Sequence, residues 1–124
     1  MKLVVLAAAG TLAVLGAAAM AGPEMVVPFH RHYNIKPDSR LGKLPCLVCH
    51  LPDNVRLGPY GMDMQRAMRA LKTTTMTPAV LRRIERLDSD RDGVNNLAEL
   101  RGDSSPNDRR MRPARPARPA APRR

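Results

Sequence analysis

One long apolar stretch opens the chain, and nothing like it recurs. Leu3 to Ala19 is apolar or small at every position except Thr11, behind the single cation Lys2. Ala19-Met20-Ala21 sets small residues at the spacing a signal peptidase reads, so residues 1–21 are expected to be a cleaved export signal. The alternative is an uncleaved membrane anchor, for which the run is close to the lower length limit. Beyond it the apolar positions come in short helical groups. Phe29 and Tyr33 stand four apart and predict one face of a short helix, after an extended lead over 23–28. Met64, Met68 and Leu71 predict a helix capped by Asp63, following a turn at Gly58-Pro59-Tyr60-Gly61. Thr77-Pro78 is a helix start, with Thr at the cap and Pro at the first position. Val80, Leu81, Ile84 and Leu87 form its expected buried face, and a short helix from about Leu97 to Arg101 stops at Gly102. No strand pattern is convincing, so the expected fold is all-α, built from a few short helices.

Composition adds a demand. The chain holds one Phe, two Tyr and no Trp, so its core lacks large rings. A domain of this size is marginal even with a good core, and small scaffolds usually need a metal or cofactor as a staple. Charge divides the chain further. The formal net charge is +10, but residues 109–124 carry seven Arg and no acid. Pro113, Pro116 and Pro119 recur there every three residues, which predicts a disordered or polyproline II tail. An anionic surface or an acidic partner is the expected contact of this tail. Nucleic acid is not, because the chain is read as exported and its cations are not interleaved with aromatics. The expected organisation is therefore 1–21 signal, 22–75 and 76–108 as two functional segments, and 109–124 as tail.

Export favours disulfides, yet the only cysteines are Cys46 and Cys49. A bridge of that span closes a tiny loop and constrains little. Cys46-Leu47-Val48-Cys49-His50 instead has the spacing of covalent c-type haem attachment. Two thiols three apart share one side of a helical turn and reach two vinyl groups on one haem edge, and the adjacent histidine reaches the iron. Two other chemistries compete. A redox dithiol would sit in a strand-to-helix context, and none is visible. A zinc site would need two more ligands, which His30 and His32 could supply. For the sixth iron position the candidates are His30 and His32 upstream, and Met62, Met64, Met68 and Met76 downstream. His32 is the foremost of these; a vacant position is the remaining option.

A second motif follows. Asp88-Ser89-Asp90-Arg91-Asp92-Gly93-Val94-Asn95-Asn96-Leu97-Ala98-Glu99 matches a twelve-residue EF-hand loop at its diagnostic positions. Asp88, Asp90 and Asp92 offer oxygens at positions 1, 3 and 5, and Gly93 permits the turn at 6. The Val94 carbonyl serves at 7, Asn96 at 9 directly or through water, and Glu99 closes at 12. Carboxylates this close repel one another unless a cation lies between them. Asn95, where a branched apolar residue is usual, argues against pairing with a second such loop.

In these features the chain resembles a group of small periplasmic monohaem cytochromes that join a CxxCH segment to one DxDxDGxxNxxE calcium loop. Phe29-x-x-x-Tyr33, Ile35 to Ser39, Cys46 to His50, Pro59-Tyr60-Gly61 and Leu87 to Glu99 carry the resemblance, over roughly residues 29–108. The loop is also similar to dockerin and thrombospondin type 3 loops, with Pro106 seven residues after the Glu. Where those have Gly-Thr before the Pro, this chain has Gly102-Asp103-Ser104-Ser105. The resemblance implies haem c held by thioethers at Cys46 and Cys49, His50 as axial ligand, and Ca2+ in the loop. Its helices would then surround the haem, and periplasmic or extracellular electron exchange with redox protein partners is the expected function. Two other classes stay open, a haem-based gas sensor and a calcium-dependent binding or scaffold protein. No Ser-His-Asp set, phosphate loop or carboxylate pair outside the loop suggests an enzyme.

Overall fold

The computed structural model describes residues 23–113. The predicted signal or anchor at 1–21 and the tail beyond Pro113 lie outside them. Four helices follow in order, α1 (Pro23–Tyr33), α2 (Pro59–Ala70), α3 (Pro78–Ile84) and α4 (Asn96–Arg101). Among the described residues the only extended pairing is a single antiparallel bridge, His50 with Leu57, so the all-α class holds. No described helix is long and apolar enough to cross a membrane.

The helix around Phe29 and Tyr33 begins earlier than expected. Residues 23–28 are helical, with Pro28 inside α1. Proline there costs one backbone bond and crowds the preceding turn. Tertiary packing outweighs that cost, because Met25, Phe29 and Tyr33, spaced by four, all meet the core. Phe29 lies edge-on to Tyr33 at 5.2 Å and to Tyr60 at 6.2 Å between ring centroids.

The predicted turn at 58–61 is instead the first turn of α2. Gly58 is its N-cap and Pro59 its first residue, a position where a missing N–H costs nothing. Asp63 therefore lies inside the helix. It pairs with Arg66 and accepts a bond of 2.7 Å from the Ser89 hydroxyl, which fastens α2 to the acidic loop. The buried face of α2 is Tyr60, Gly61, Met64 and Ala67, while Leu71 is exposed. Gly61 has a specific role: a Cβ there would run into the Cys49 carbonyl, so this glycine lets α2 lie directly against the turn that holds Cys46, Cys49 and His50.

α3 begins as predicted. The Thr77 side chain accepts from Val80 N–H at 3.3 Å, and Val80, Leu81 and Ile84 are buried. Leu87 is not on that face; it is 44% exposed, because the helix ends at Ile84 and the chain turns before reaching it. α4 ends at its Gly102 C-cap, and Asn95 caps its start by accepting from Ala98 N–H at 2.9 Å. Asn96 N–H to Leu87 O (2.7 Å) and Leu97 N–H to Glu85 O (3.0 Å) draw α3 and α4 together around the acidic loop. One core cluster spans both segments: Phe29, Leu41 and Val48 pack with Tyr60, Met64, Met76, Val80, Leu81, Ile84 and Leu100.

Candidate functional site

Residues 46–50 form one helical turn. His50 N–H donates to Cys46 O at 2.9 Å and Cys49 N–H to the same carbonyl at 3.2 Å. The turn is anchored inward by Val48, which is 1% exposed, and downstream by Gly58 N–H donating to Cys49 O at 2.9 Å. Cys46 is open to solvent, Cys49 is half-buried, and both are free thiols. Burial first, and the neighbouring Cys46 second, push the Cys49 thiol up to about 12. His50 is half-buried with its Nδ1 buried and unpartnered.

These details discriminate among the three chemistries proposed for the cysteines. A redox dithiol sits where a strand leads into a helix, and among the described residues no strand precedes this turn. A zinc site needs its ligands gathered within one coordination sphere, yet the one group of three or more metal-ligating side chains found among the described residues is Asp88, Asp90 and Asp92. The turn does suit covalent attachment: one thiol is open to a large planar group, its partner is three residues on, and the adjacent imidazole has an unsatisfied nitrogen. Two clefts lie elsewhere. One, of about 520 Å³, runs along α2 and the acidic loop past Met62, Arg66 and Leu87. The other, of about 300 Å³, lies between α1 and α3, where Arg31, His32 and Met76 line it.

The candidate distal ligands are scattered. His32 is directed to α3, its Nε2 3.4 Å from Glu85 Oε1 and its ring edge-on to Tyr33 at 4.7 Å. His30 Nε2 is buried and has no partner. Met64 and Met76 are core residues, Met68 packs on the core, and Met62 is exposed.

The acidic loop is more completely formed. Carboxylate oxygens of Asp88, Asp90 and Asp92 lie within 4.8 Å of one another. Four of the triad's six carboxylate oxygens are spent on the loop itself, Asp90 Oδ1 among them, which accepts from Asp92 N–H at 3.2 Å. Asp88 accepts from the amides of Asp92 (3.1 Å) and Gly93 (2.9 Å), and Asp92 Oδ1 accepts from Val94 N–H at 2.8 Å. Gly93, at φ 92°, makes the turn an L side chain would resist. Four oxygens remain buried with no hydrogen-bond donor: Asp90 Oδ2, Asp92 Oδ2 and both oxygens of Glu99. Glu99 is completely buried, and burial first, then Asp90, Asp92 and Asp88, push its carboxyl up to about 8. A buried carboxylate with neither donor nor counter-ion is strongly unfavourable. A hard cation among these oxygens would remove that penalty.

The Asn96 side chain is engaged by the protein itself. Its Oδ1 accepts from Ser89 N–H at 3.1 Å, and its Nδ2 donates to Ile84 O at 2.8 Å and Ser89 Oγ at 2.9 Å. Its amide therefore ties the loop to α3. One cation sits at the loop already. Arg112 Nε lies 2.9 Å from Asp92 Oδ2, an ion pair without hydrogen-bond alignment, and its Nη2 donates to Asp92 O at 2.6 Å.

Two residues that sequence reasoning passed over join the two sites. Asp103 accepts from the amides of Arg40 (2.8 Å) and Leu41 (2.9 Å). Burial alone would raise its carboxyl, but those two amides hold it below the ordinary value. Asn107 donates from Nδ2 to both Leu47 O and His50 O at 3.0 Å, and its Oδ1 accepts from Tyr60 N–H at 3.2 Å. The only local signal was an Asx residue just past the Ser105-Pro106 step. Comparison with family models, curated proteins and solved structures finds no match to this chain.

Proposed function

We propose that this chain is an exported electron carrier that holds one haem c on the Cys46–His50 turn and one calcium ion in the 88–99 loop. The observation that carries the haem part is the turn itself. Its two thiols are three residues apart, one of them open to solvent, and the imidazole nitrogen that follows is buried without a partner. Cys46 and Cys49 would hold the group by thioethers and His50 would ligate its iron, and the bound haem supplies reversible one-electron exchange. The protein's own part is positional. Val48 roots the turn in the core, the Cys46 carbonyl accepts the His50 N–H, and α2 packs against the Cys49 carbonyl through Gly61.

Calcium acts as a staple in this reading. A ligand bound only by the folded state stabilises it by mass action. The orphaned Glu99 oxygens support that role, because the metal-free loop carries a buried carboxylate that nothing compensates. The tail, strongly basic, would steer the carrier toward an acidic redox partner or an anionic surface in a salt-dependent way.

Expression with c-type maturation machinery, followed by optical spectra of the oxidised and reduced protein, tests the haem reading. A haem spectrum that survives denaturation is the expected result. A correctly processed product without haem absorbance overturns it. One observation favours a second reading, a calcium-dependent binding protein: exposed Met62 and Leu87 line the open cleft beside the loop. In that case calcium binds, haem is absent, and partner association depends on calcium.

A further inference from the structure

The acidic loop and the attachment turn are separate in sequence, but one short strap joins them. The strap starts at Glu99, whose carbonyl accepts Ser104 N–H at 2.9 Å and Ser104 Oγ at 3.3 Å. Ser104, Ser105 and Pro106 are buried, so the strap runs through the interior. Asp103, at φ 53°, reverses the chain and caps the amides of Arg40 and Leu41. Leu41 O in turn accepts Leu44 N–H, and Leu44 O accepts Val48 N–H, which carries the contact into the attachment turn. At the far end, Ser105 Oγ accepts Asn107 N–H at 3.3 Å, and the Asn107 side chain clasps the turn.

That clasp is specific in its chemistry. Two carbonyls, Leu47 O and His50 O, face one terminal atom of Asn107, and one N–H, that of Tyr60, faces the other. Only an amide satisfies both sides at once, since a carboxylate offers no donors and an ammonium no acceptor. Gly58 stays small for the same reason: a Cβ there would strike the Asn107 amide. His50 is thus held from two directions, its N–H by Cys46 O and its carbonyl by Asn107.

We propose that Asn107 is a positioning residue for the axial histidine, and that the 99–107 strap couples occupancy of the acidic loop to the geometry of the attachment turn. The haem arm of this inference rests on the function proposed above; the strap itself rests on the hydrogen bonds alone. Closing the loop around a cation fixes Glu99, the strap then holds Asn107 against Leu47 and His50, and the turn is rigid. By thermodynamic reciprocity, a change at the turn alters cation affinity by the same factor.

The test uses the full chain, with and without haem, in calcium or in chelator. Asn107→Asp is isosteric: it keeps the acceptor for Tyr60 N–H and removes both donors to the turn. Calcium binding by calorimetry and helix content by circular dichroism are measured on every form. In the haem-free wild type, calcium should slow alkylation of Cys49 by about tenfold or more, and in N107D it should make little difference. In the haem-loaded wild type, adding calcium should shift the midpoint potential and sharpen the low-spin spectrum; N107D should lose that response. Asn107→Ser, whose hydroxyl has one proton to donate in place of the amide's two, should fall between them and serves if N107D fails to fold. Wild-type calcium dependence retained in the variants, in either readout, overturns the proposal. A wild type that shows no calcium effect on Cys49 overturns the coupling, and calorimetry then tells whether calcium binding failed too. Absence of haem from the wild type overturns only the cytochrome reading, since the Cys49 measurement still reports on the strap.

Discussion

Arg112 stands against Asp92 as a tethered cation, contacting both its carboxylate and its carbonyl. The Asp92 side chain is fully buried in this pair while Arg112 is 62% exposed, so solvent screens much of the attraction. Removing the guanidinium should lower metal-free stability only by about 0.2–1 kcal/mol, the range of exposed pairs. It should also tighten calcium binding, because a positive charge next to the loop repels the ion. R112Q is expected to bind calcium about twofold to fivefold more tightly at low salt, with the gain fading as salt rises. Calorimetry at two ionic strengths checks it, and weaker binding would show that Arg112 orients Asp92 for the metal instead.

Glu99 should move affinity and stability in opposite directions. E99Q removes the one ligand with two orphaned buried oxygens. Its loss of calcium affinity should exceed the roughly 10–100-fold typical of removing an outer-shell partner. In chelator near neutral pH the same variant should be more stable than wild type by about 1–2 kcal/mol, because the cost of burying a carboxyl held above its ordinary pKa has gone. Thermal melts with and without calcium separate the two effects; a variant less stable in both conditions would refute the account.

The same carboxyl sets a pH dependence. Its pKa rises from an ordinary 4.5 to about 8 on folding without metal. Between those values the folded state holds more proton than the unfolded state, so metal-free stability falls as pH rises through that window. Calcium needs the carboxylate, so its affinity should rise over the same window, with proton release on binding. Denaturant titrations in chelator should show the decline in wild type and a flatter profile in E99Q. Equal slopes would assign the dependence to other groups.

Cys46 and Cys49 should differ sharply before haem is attached. Cys46 is exposed, whereas burial pushes the Cys49 thiol up to about 12 and holds it protonated. Under mildly alkaline conditions the haem-free chain in calcium should take one alkyl label quickly, at Cys46. Cys49 should react at least about a hundredfold more slowly, since the thiolate is the nucleophile. Peptide mapping by mass spectrometry reads this directly. Equal labelling would mean that the turn is open in solution.

Gly61 tests the seat of the turn on α2. A methyl group there meets the Cys49 carbonyl, which is backbone and cannot swing aside. G61A should cost about 1–3 kcal/mol, as overpacking does, and should lower the yield of haem-loaded protein. An unchanged melting temperature would count against the close approach of α2 to the turn.

Local chemistry was legible in the sequence. Thr77 and Pro78 announce the start of α3, Gly102 the end of α4, and the carboxylate spacing of 88–99 a cluster of acidic side chains, because each depends on neighbours a few residues apart. The Cys46–His50 spacing falls in the same class. Boundaries that depend on packing were misjudged. Pro28 is helical because Met25, Phe29 and Tyr33 find a core, and Leu87 is exposed because α3 stops at Ile84.

What the amino-acid order determined by itself is the set of reactive groups and their local spacing: two thiols and an imidazole on one turn, and carboxylates around Gly93. The tertiary structure alone decided how those groups are held. Asn107 reaches Leu47 and His50 across 60 and 57 residues, Asp103 reaches Leu41 across 62, and Arg112 returns to Asp92 across 20. Such contacts leave no periodic trace in a sequence. They exist because burying one shared core brings distant backbone amides and carbonyls together, and each must then find a partner.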